Sequence, residues 1–275
     1  MLAAAQGPES GRWLSATPAE TGMQMQDDEF ITAMRLRLGL TVHTKTLCGR
    51  VSASGQKSCG DPMDPHGNHA LTCKWGGLGT KMHDACCLRL WQAAKETGAG
   101  VLREQVIPAL QTPTRREPRV DLEVWGLHGL EHSLFDFTMC IPSAARYAQK
   151  DDAAAPAIAE ARKRREYPKT AGLAVEGIAM NTFGIMGPHL REVLEQWAYR
   201  ARLQDVYKGR VPRRWMHLWT TQLTAAVAMG AARMVIASER ASHHVPVTPA
   251  DTTCLMPKCI ANPHVQTEAD ADGGA

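Results

Sequence analysis

Two short apolar runs each carry a single carboxylate. One reads Arg119-Val-Asp121; the other reads Leu134-Phe-Asp136-Phe-Thr138. An acid embedded in β-like hydrophobic sequence is costly to ionise unless a cation or hydrogen bonds compensate it. Two of them on neighbouring strands, followed by a lysine in Glu160-Ala-Arg-Lys163-Arg-Arg-Glu-Tyr167, suit a divalent metal and the hydrolysis of a phosphodiester. Mg²⁺ prefers oxygen ligands and keeps several waters. It can polarise a phosphate and lower the pKa of a bound water. Lys163 could orient that water or neutralise charge in the transition state. Lys163 and Tyr167 lie four residues apart, so on a helix they share a face. That leaves Arg162, Arg164 and Arg165 for nucleic-acid phosphates.

A second set of chemically capable residues precedes these. Cys48 and Cys59 are followed by His69 and Cys73, with His83 and Cys86 as alternative ligands. His69 and Cys73 face the same way if they open a helix, and two loop cysteines would complete a tetrahedral Zn²⁺ site. The competing reading is that these are ordinary reduced cysteines in a loop. Cys86-Cys87 reads as helix packing, since a free cysteine behaves as a small apolar residue. Cys254, Cys259 and His264 could bind a second ion, but the favoured reading is that they lie in an unstructured tail.

The elements that must position these groups follow from periodicity. Met1 to about Ala19 reads as flexible. A helix follows, opened by Asp27-Asp-Glu-Phe30, with Phe30, Met34 and Leu38 at helical spacing and Gly39 as its stop. Residues 41–80 are rich in Gly, Pro, Cys, His and Lys and bury little apolar surface without a metal. A helix from Lys81 to Thr97 ends at Gly98 and Gly100. Strands are expected at Val101–Ile107, Val120–Trp125 and Ser133–Cys140, the last two as a hairpin. Then come a helix from Pro156 to Tyr167, a strand from Leu173 to Phe183, a helix from Pro188 to Arg200 and a helix over Arg213–Arg240. The expected class is α/β, a mixed sheet flanked by helices. The expected segments are 1–40 (flexible start and helix), 41–98 (knuckle and helix), 99–205 (core), 206–240 (C-terminal helix) and 241–275 (disordered tail). Asp64, Glu123 and Glu131 read as surface residues.

Composition narrows the function. Of 275 residues, 44% are apolar, enough for a real core, and a net charge of +3 confines any nucleic-acid surface to local patches. Aromatics at 5% argue against single-strand binding by base stacking. No apolar run approaches the roughly 20 residues that span a bilayer, and the start lacks a secretory pattern. Eight cysteines in that setting favour thiols or metal ligands over disulfides.

Taken in order, Cys59-Gly-Asp61, Gly67-Asn-His69-Ala-Leu-Thr-Cys73, His83-Asp84 and then Asp121, Asp136, Lys163 and Tyr167 resemble the C-terminal region of non-LTR retrotransposon proteins that carry a restriction-like endonuclease. The resemblance covers roughly residues 30 to 235. It implies a Cys-Cys-His-Cys zinc knuckle before a nuclease of the PD-(D/E)xK type, with a restriction-endonuclease-like sheet. Asp121 and Asp136 would ligate Mg²⁺ with the Phe137 carbonyl. Lys163 would be the motif's lysine, moved to the following helix, Tyr167 its aromatic companion, and Glu104 an auxiliary acid. Val120 replaces the motif's proline, and Thr138 stands where many such nucleases carry lysine. The strand around Ala174–Phe183 would complete the sheet.

The resemblance implies an endonuclease that nicks target DNA to prime reverse transcription in the nucleus (the cytoplasm being the other expectation). The chain has no Tyr-x-Asp-Asp polymerase sequence, so element RNA or a reverse transcriptase would be supplied in trans. Two other readings stand beside it: a non-enzymatic zinc-containing nucleic-acid-binding module, and a decayed or domesticated retroelement fragment.

Overall fold

The computed structural model describes residues 7, 9–16, 23–52, 54–113, 116–127, 130–144, 146–147, 154–167, 173–203 and 212–240. The described elements belong to one compact unit, Met1–Ser242. In chain order they are α1 (Asp27–Leu38), α2 (Asn68–Thr72), α3 (Leu78–Lys95), β1 (Gly100–Val106), β2 (Arg119–Leu127), β3 (Leu130–Cys140), α4 (Ala155–Glu166), β4 (Val175–Asn181), α5 (Pro188–Ala201) and α6 (Pro212–Arg240).

The strands form one sheet in the order β1-β2-β3-β4. The first two pairings are antiparallel, with Arg103 opposite Leu122 and Leu122 opposite Phe135. The third is parallel, from Leu134 opposite Val175 to Cys140 opposite Asn181. Parallel neighbours need a crossover, and here the crossover carries α4. This is the mixed, helix-flanked sheet that the alternating pattern predicts.

Both faces of the sheet are covered. On one, Leu122, Val124, Phe135, Phe137, Ile178 and Met180 pack with residues of α3, α5 and α6, among them Leu90, Trp197 and Leu223. On the other, Ala155 and Ala159 of α4 meet Cys140 and Ala179. Burying both faces at about 25 cal/mol per Å² of apolar surface is the main favourable term holding the sheet.

Helix α6 has a wider role than a C-terminal appendage. Its Ala231, Met234 and Val235 pack on Leu36, Val42, Ala70 and Leu71, which belong to α1, the segment after it and α2. Its Ala225, Ala228 and Ala232 receive Trp13. That contact corrects the expectation of flexibility up to Ala19: Arg12–Ser15 is a short 3₁₀ turn with Trp13 buried. One large aromatic anchor fixes the turn, and a single anchor produces no periodicity. The α1 stripe also differs. Phe30 and Leu38 are exposed, whereas Glu29, Ala33 and Leu36 are buried. Glu29 is held inward by Arg233 on α6 at 2.6 Å.

Candidate metal centres

The hairpin of β2 and β3 brings the two carboxylates together. Antiparallel pairing runs down to Leu122 opposite Phe135, and one step further Asp121 stands across from Asp136. There the ladder changes character: the Phe137 N–H donates to Asp121 Oδ2 at 2.6 Å. Asp136 is 6% exposed, and its Oδ2 accepts hydrogen bonds from the Lys163 amine at 3.1 Å and from the Tyr167 hydroxyl. The same hydroxyl lies 3.2 Å from the Arg119 carbonyl.

The reach of Lys163 depends on a glycine. Gly177 on β4 pairs with Asp136. A Cβ at Gly177 would lie 2.5 Å from the Glu160 carbonyl oxygen and 2.6 Å from Lys163 Cβ. A hydrogen at that position therefore lets α4 lie close against β4 and carry Lys163 over the carboxylates. Glu160, about one turn before Lys163, ties α4 to α5. Its buried carboxylate accepts the N–H groups of His189 at 3.1 Å and Leu190 at 3.0 Å, capping the start of α5.

The two acids have opposite electrostatics. Burial raises the Asp136 carboxyl above its ordinary range, and the charge of Asp121 adds to that rise against the pull of Lys163 and Tyr167. Burial acts the same way on Asp121, but hydrogen bonds and the charge of His83 outweigh it and hold that carboxyl low. Adjacent carboxylates driven apart in this way are a frequent property of metal and acid–base sites.

His83 departs from its expected place. It is not among the ligand atoms of the Cys-rich segment: α3 carries it to the hairpin. Its Nε2 lies 3.4 Å from Asp121 Oδ2 and 3.1 Å from the Phe137 carbonyl oxygen. Cys87, one turn along α3, places its sulfur 3.8 Å from the same nitrogen. Cys86 is fully buried in the core and Cys87 nearly so, as helix packing predicts, but Cys87 also touches His83. His83, Cys87 and Asp121 form a group able to hold a metal ion.

Cys48, Cys59, His69 and Cys73 form the other such group and could bind a metal such as zinc. Successive sulfurs lie 3.9 Å (Cys48–Cys73) and 3.7 Å (Cys73–Cys59) apart, and Cys59 lies 3.5 Å from His69 Nε2. Bonds of about 2.0–2.3 Å around a tetrahedral ion separate their donor atoms by about 3.3–3.8 Å. Disulfide sulfurs, by contrast, lie only about 2 Å apart. Burial, with the neighbouring Cys73, pushes the Cys59 thiol up to about 12, so metal binding would release its proton.

Two residues hold this segment in place without marking themselves in the sequence. Arg50, only 2% exposed, donates to the carbonyls of Cys73 at 3.0 Å, Ala70 at 2.7 Å and Met234. It thereby ties α2 to α6. Asp64, expected as a surface residue, accepts the N–H groups of His66 at 3.0 Å and His69 at 2.8 Å, ordering the turn that presents His69. Gly67 follows with φ +80, and its missing Cβ would meet Val42 at 3.0 Å.

The remaining expected residues sit around these centres. Glu104 falls between the pairs Arg103–Leu122 and Gln105–Val120, across from Asp121, with its backbone in the left-handed region at φ 52. Its exposed carboxylate pairs with Arg119 at 3.6 Å and Arg103 at 3.7 Å. Arg162 and Arg165 line a groove beside α4 with Arg146 and Tyr147, on a different side of the helix from Lys163. Arg164 is exposed. Cys254, Cys259 and His264 lie outside the described residues. No described helix is long and apolar enough to cross a membrane. No family model and no curated protein matches the chain.

Proposed function

We propose that this chain is a metal-dependent DNA endonuclease of the restriction-like, PD-(D/E)xK type. It would nick one strand, beside a structural zinc knuckle made by Cys48, Cys59, His69 and Cys73. The observation that carries the reading is a convergence: Lys163 and Tyr167 meet Asp136, while Asp121 stands opposite it on the paired strand. The donor set fits a hard divalent ion, because two carboxylates and the Phe137 carbonyl supply oxygens at one end of a hairpin. Such an ion, when bound, supplies charge stabilisation and a more acidic water.

The protein's own groups do the rest. Asp121 and Asp136 hold the ion, and Asp121 is itself oriented by the Phe137 N–H. Lys163 neutralises charge at the phosphate or orients the attacking water. Tyr167 keeps Asp136 directed. Arg162 and Arg165, with Arg146, offer a cationic groove for the DNA backbone next to the reacting position rather than at it. The resemblance to non-LTR retrotransposon endonucleases adds a setting: a nick whose 3′-hydroxyl primes reverse transcription in the nucleus, with element RNA and polymerase from another chain.

A nicking assay on supercoiled DNA with Mg²⁺ or Mn²⁺ tests the proposal. Nicking by the zinc-loaded protein that disappears in Asp136→Ala supports it. DNA binding without nicking would favour the non-enzymatic binding module. A chain that does not fold even with zinc supplied would favour a decayed element.

A further inference from the structure

The nitrogen His83 Nε2 faces two other electron-pair donors at close range, Asp121 Oδ2 at 3.4 Å and the Phe137 carbonyl oxygen at 3.1 Å. Cys87 Sγ, from the next turn of α3, lies beside the ring, 3.8 Å from Nε2 and 3.7 Å from Nδ1. Two oxygen acceptors this close to a ring nitrogen require either its own N–H proton or a metal ion between them. The separations of 3.4 and 3.8 Å match those of donors sharing one tetrahedral ion, about 3.3–3.8 Å.

The other ring nitrogen supplies an independent indication. His83 Nδ1 lies 3.3 Å from Asp84 Oδ1. A histidine that ligates a metal through one nitrogen commonly donates its other N–H to a carboxylate, which fixes the tautomer and aims the free lone pair. Were a metal to displace the Nε2 proton, Nδ1–H would stay on Asp84 and the Nε2 lone pair would face Asp121.

We propose that His83, Cys87 and Asp121 bind a divalent transition-metal ion, so that the cation at Asp121 is a borderline ion held by nitrogen and sulfur as well as oxygen. Imidazole and thiolate select zinc, cobalt or iron over magnesium, which takes oxygen ligands. The inference deepens the nuclease reading at the one residue they share, Asp121, and changes the class of ion expected there. It also accounts for His83 reaching away from the Cys48–Cys73 cluster: α3 carries it to a different ion.

The test uses the full chain with its Cys48–Cys59–His69–Cys73 cluster filled by one equivalent of zinc, titrated with Co²⁺ and followed by visible and near-ultraviolet absorption. Zinc outcompetes cobalt in the same site, so the first cluster stays filled. Expected are one further bound Co²⁺ and a thiolate-to-cobalt band. His83→Ala should weaken that binding more than about tenfold. Cys87→Ser should remove the band, and both variants should keep their single zinc and their helical circular dichroism. Unchanged cobalt affinity in His83→Ala, no thiolate band in the wild type, or no second ion at all would each overturn the proposal. Nicking separates the two readings. Mg²⁺-supported nicking that is equal in wild type and His83→Ala, with no second cobalt bound by the wild type, keeps the nuclease and removes this site. Cobalt binding lost in His83→Ala, with no nicking under any metal, keeps this site and removes the nuclease.

Discussion

The Cys48–Cys73 cluster and the Asp121–Asp136 hairpin both gather metal-binding groups from distant positions, but they are built differently. The hairpin is positioned by the sheet and by the helices packed on both of its faces. The cysteine segment has two isolated β-bridges, Leu47–Pro62 and Val51–Ser58, and the five-residue helix α2. Its own apolar contribution is small, chiefly Val42, Ala70 and Leu71 against α6. Under the proposed function, a metal would act in the chemistry of the hairpin and in the folding of the cysteine segment.

The largest effect should come from breaking the structural side. Chelating zinc, or Cys73→Ser, should melt residues 41–77 and loosen their contact with α6. The expected loss is several kcal/mol, within the roughly 10 kcal/mol or more that structural zinc supplies to small domains. Thermal melts with and without chelator measure it; a melting temperature indifferent to zinc would show that the two regions are built alike.

On the other side, Asp136→Asn should lower nicking by more than about 100-fold, the scale of losing one preorganised electrostatic group. Its melting temperature should stay level or rise, because a buried carboxylate beside another carboxylate is replaced by a neutral amide. A marked fall in stability would make the hairpin structural as well.

Gly177→Ala sharpens the same contrast. The added methyl must push α4 off β4, at a cost of about 1–3 kcal/mol, and carry Lys163 away from Asp136. Nicking should fall by a larger factor than the stability loss implies, while zinc stoichiometry stays at its wild-type value. Matching losses in both would mean that Lys163 placement is incidental.

The smallest effect is a pH dependence that comes from His189. The hydrogen bond to Glu176 raises the His189 pKa above 6.5, outweighing burial, and Glu192 and Glu160 reinforce it. A raised folded value means that its contribution is fully present below pH 6.5 and is lost as pH rises through that folded value. His189→Gln should flatten this part of the stability profile by no more than about 1 kcal/mol. Melts across that range check it, and an unchanged slope would remove His189 as its source.

The sheet and its helices were legible because burial imposes periods of 2 and 3.6 on residue type. The four described strands and the helices after them fall on the predicted apolar runs, but β2 runs on to Leu127 and β3 begins at Leu130, through most of the stretch expected to be the hairpin loop. Lys163 and Tyr167 were legible together because four residues make about one turn. Arg50 was not, because an arginine in a Gly-rich loop reads as solvated, and only three converging carbonyls make it interior. Trp13 was missed for a related reason: one anchor has no period.

By itself, the chain's order of residue types determined which segments extend, which coil, and which carry acids, thiols and imidazoles. Those outcomes depend on neighbours within a turn or a strand, where sterics and burial act locally. Tertiary structure alone decided which distant groups share a neighbourhood. It set His83 beside Asp121 instead of Cys73, turned Glu104 toward Arg119, and closed α4 on β4 at Gly177. Such adjacencies depend on how whole elements pack, and that is a property of surfaces in contact rather than of spacing along the chain.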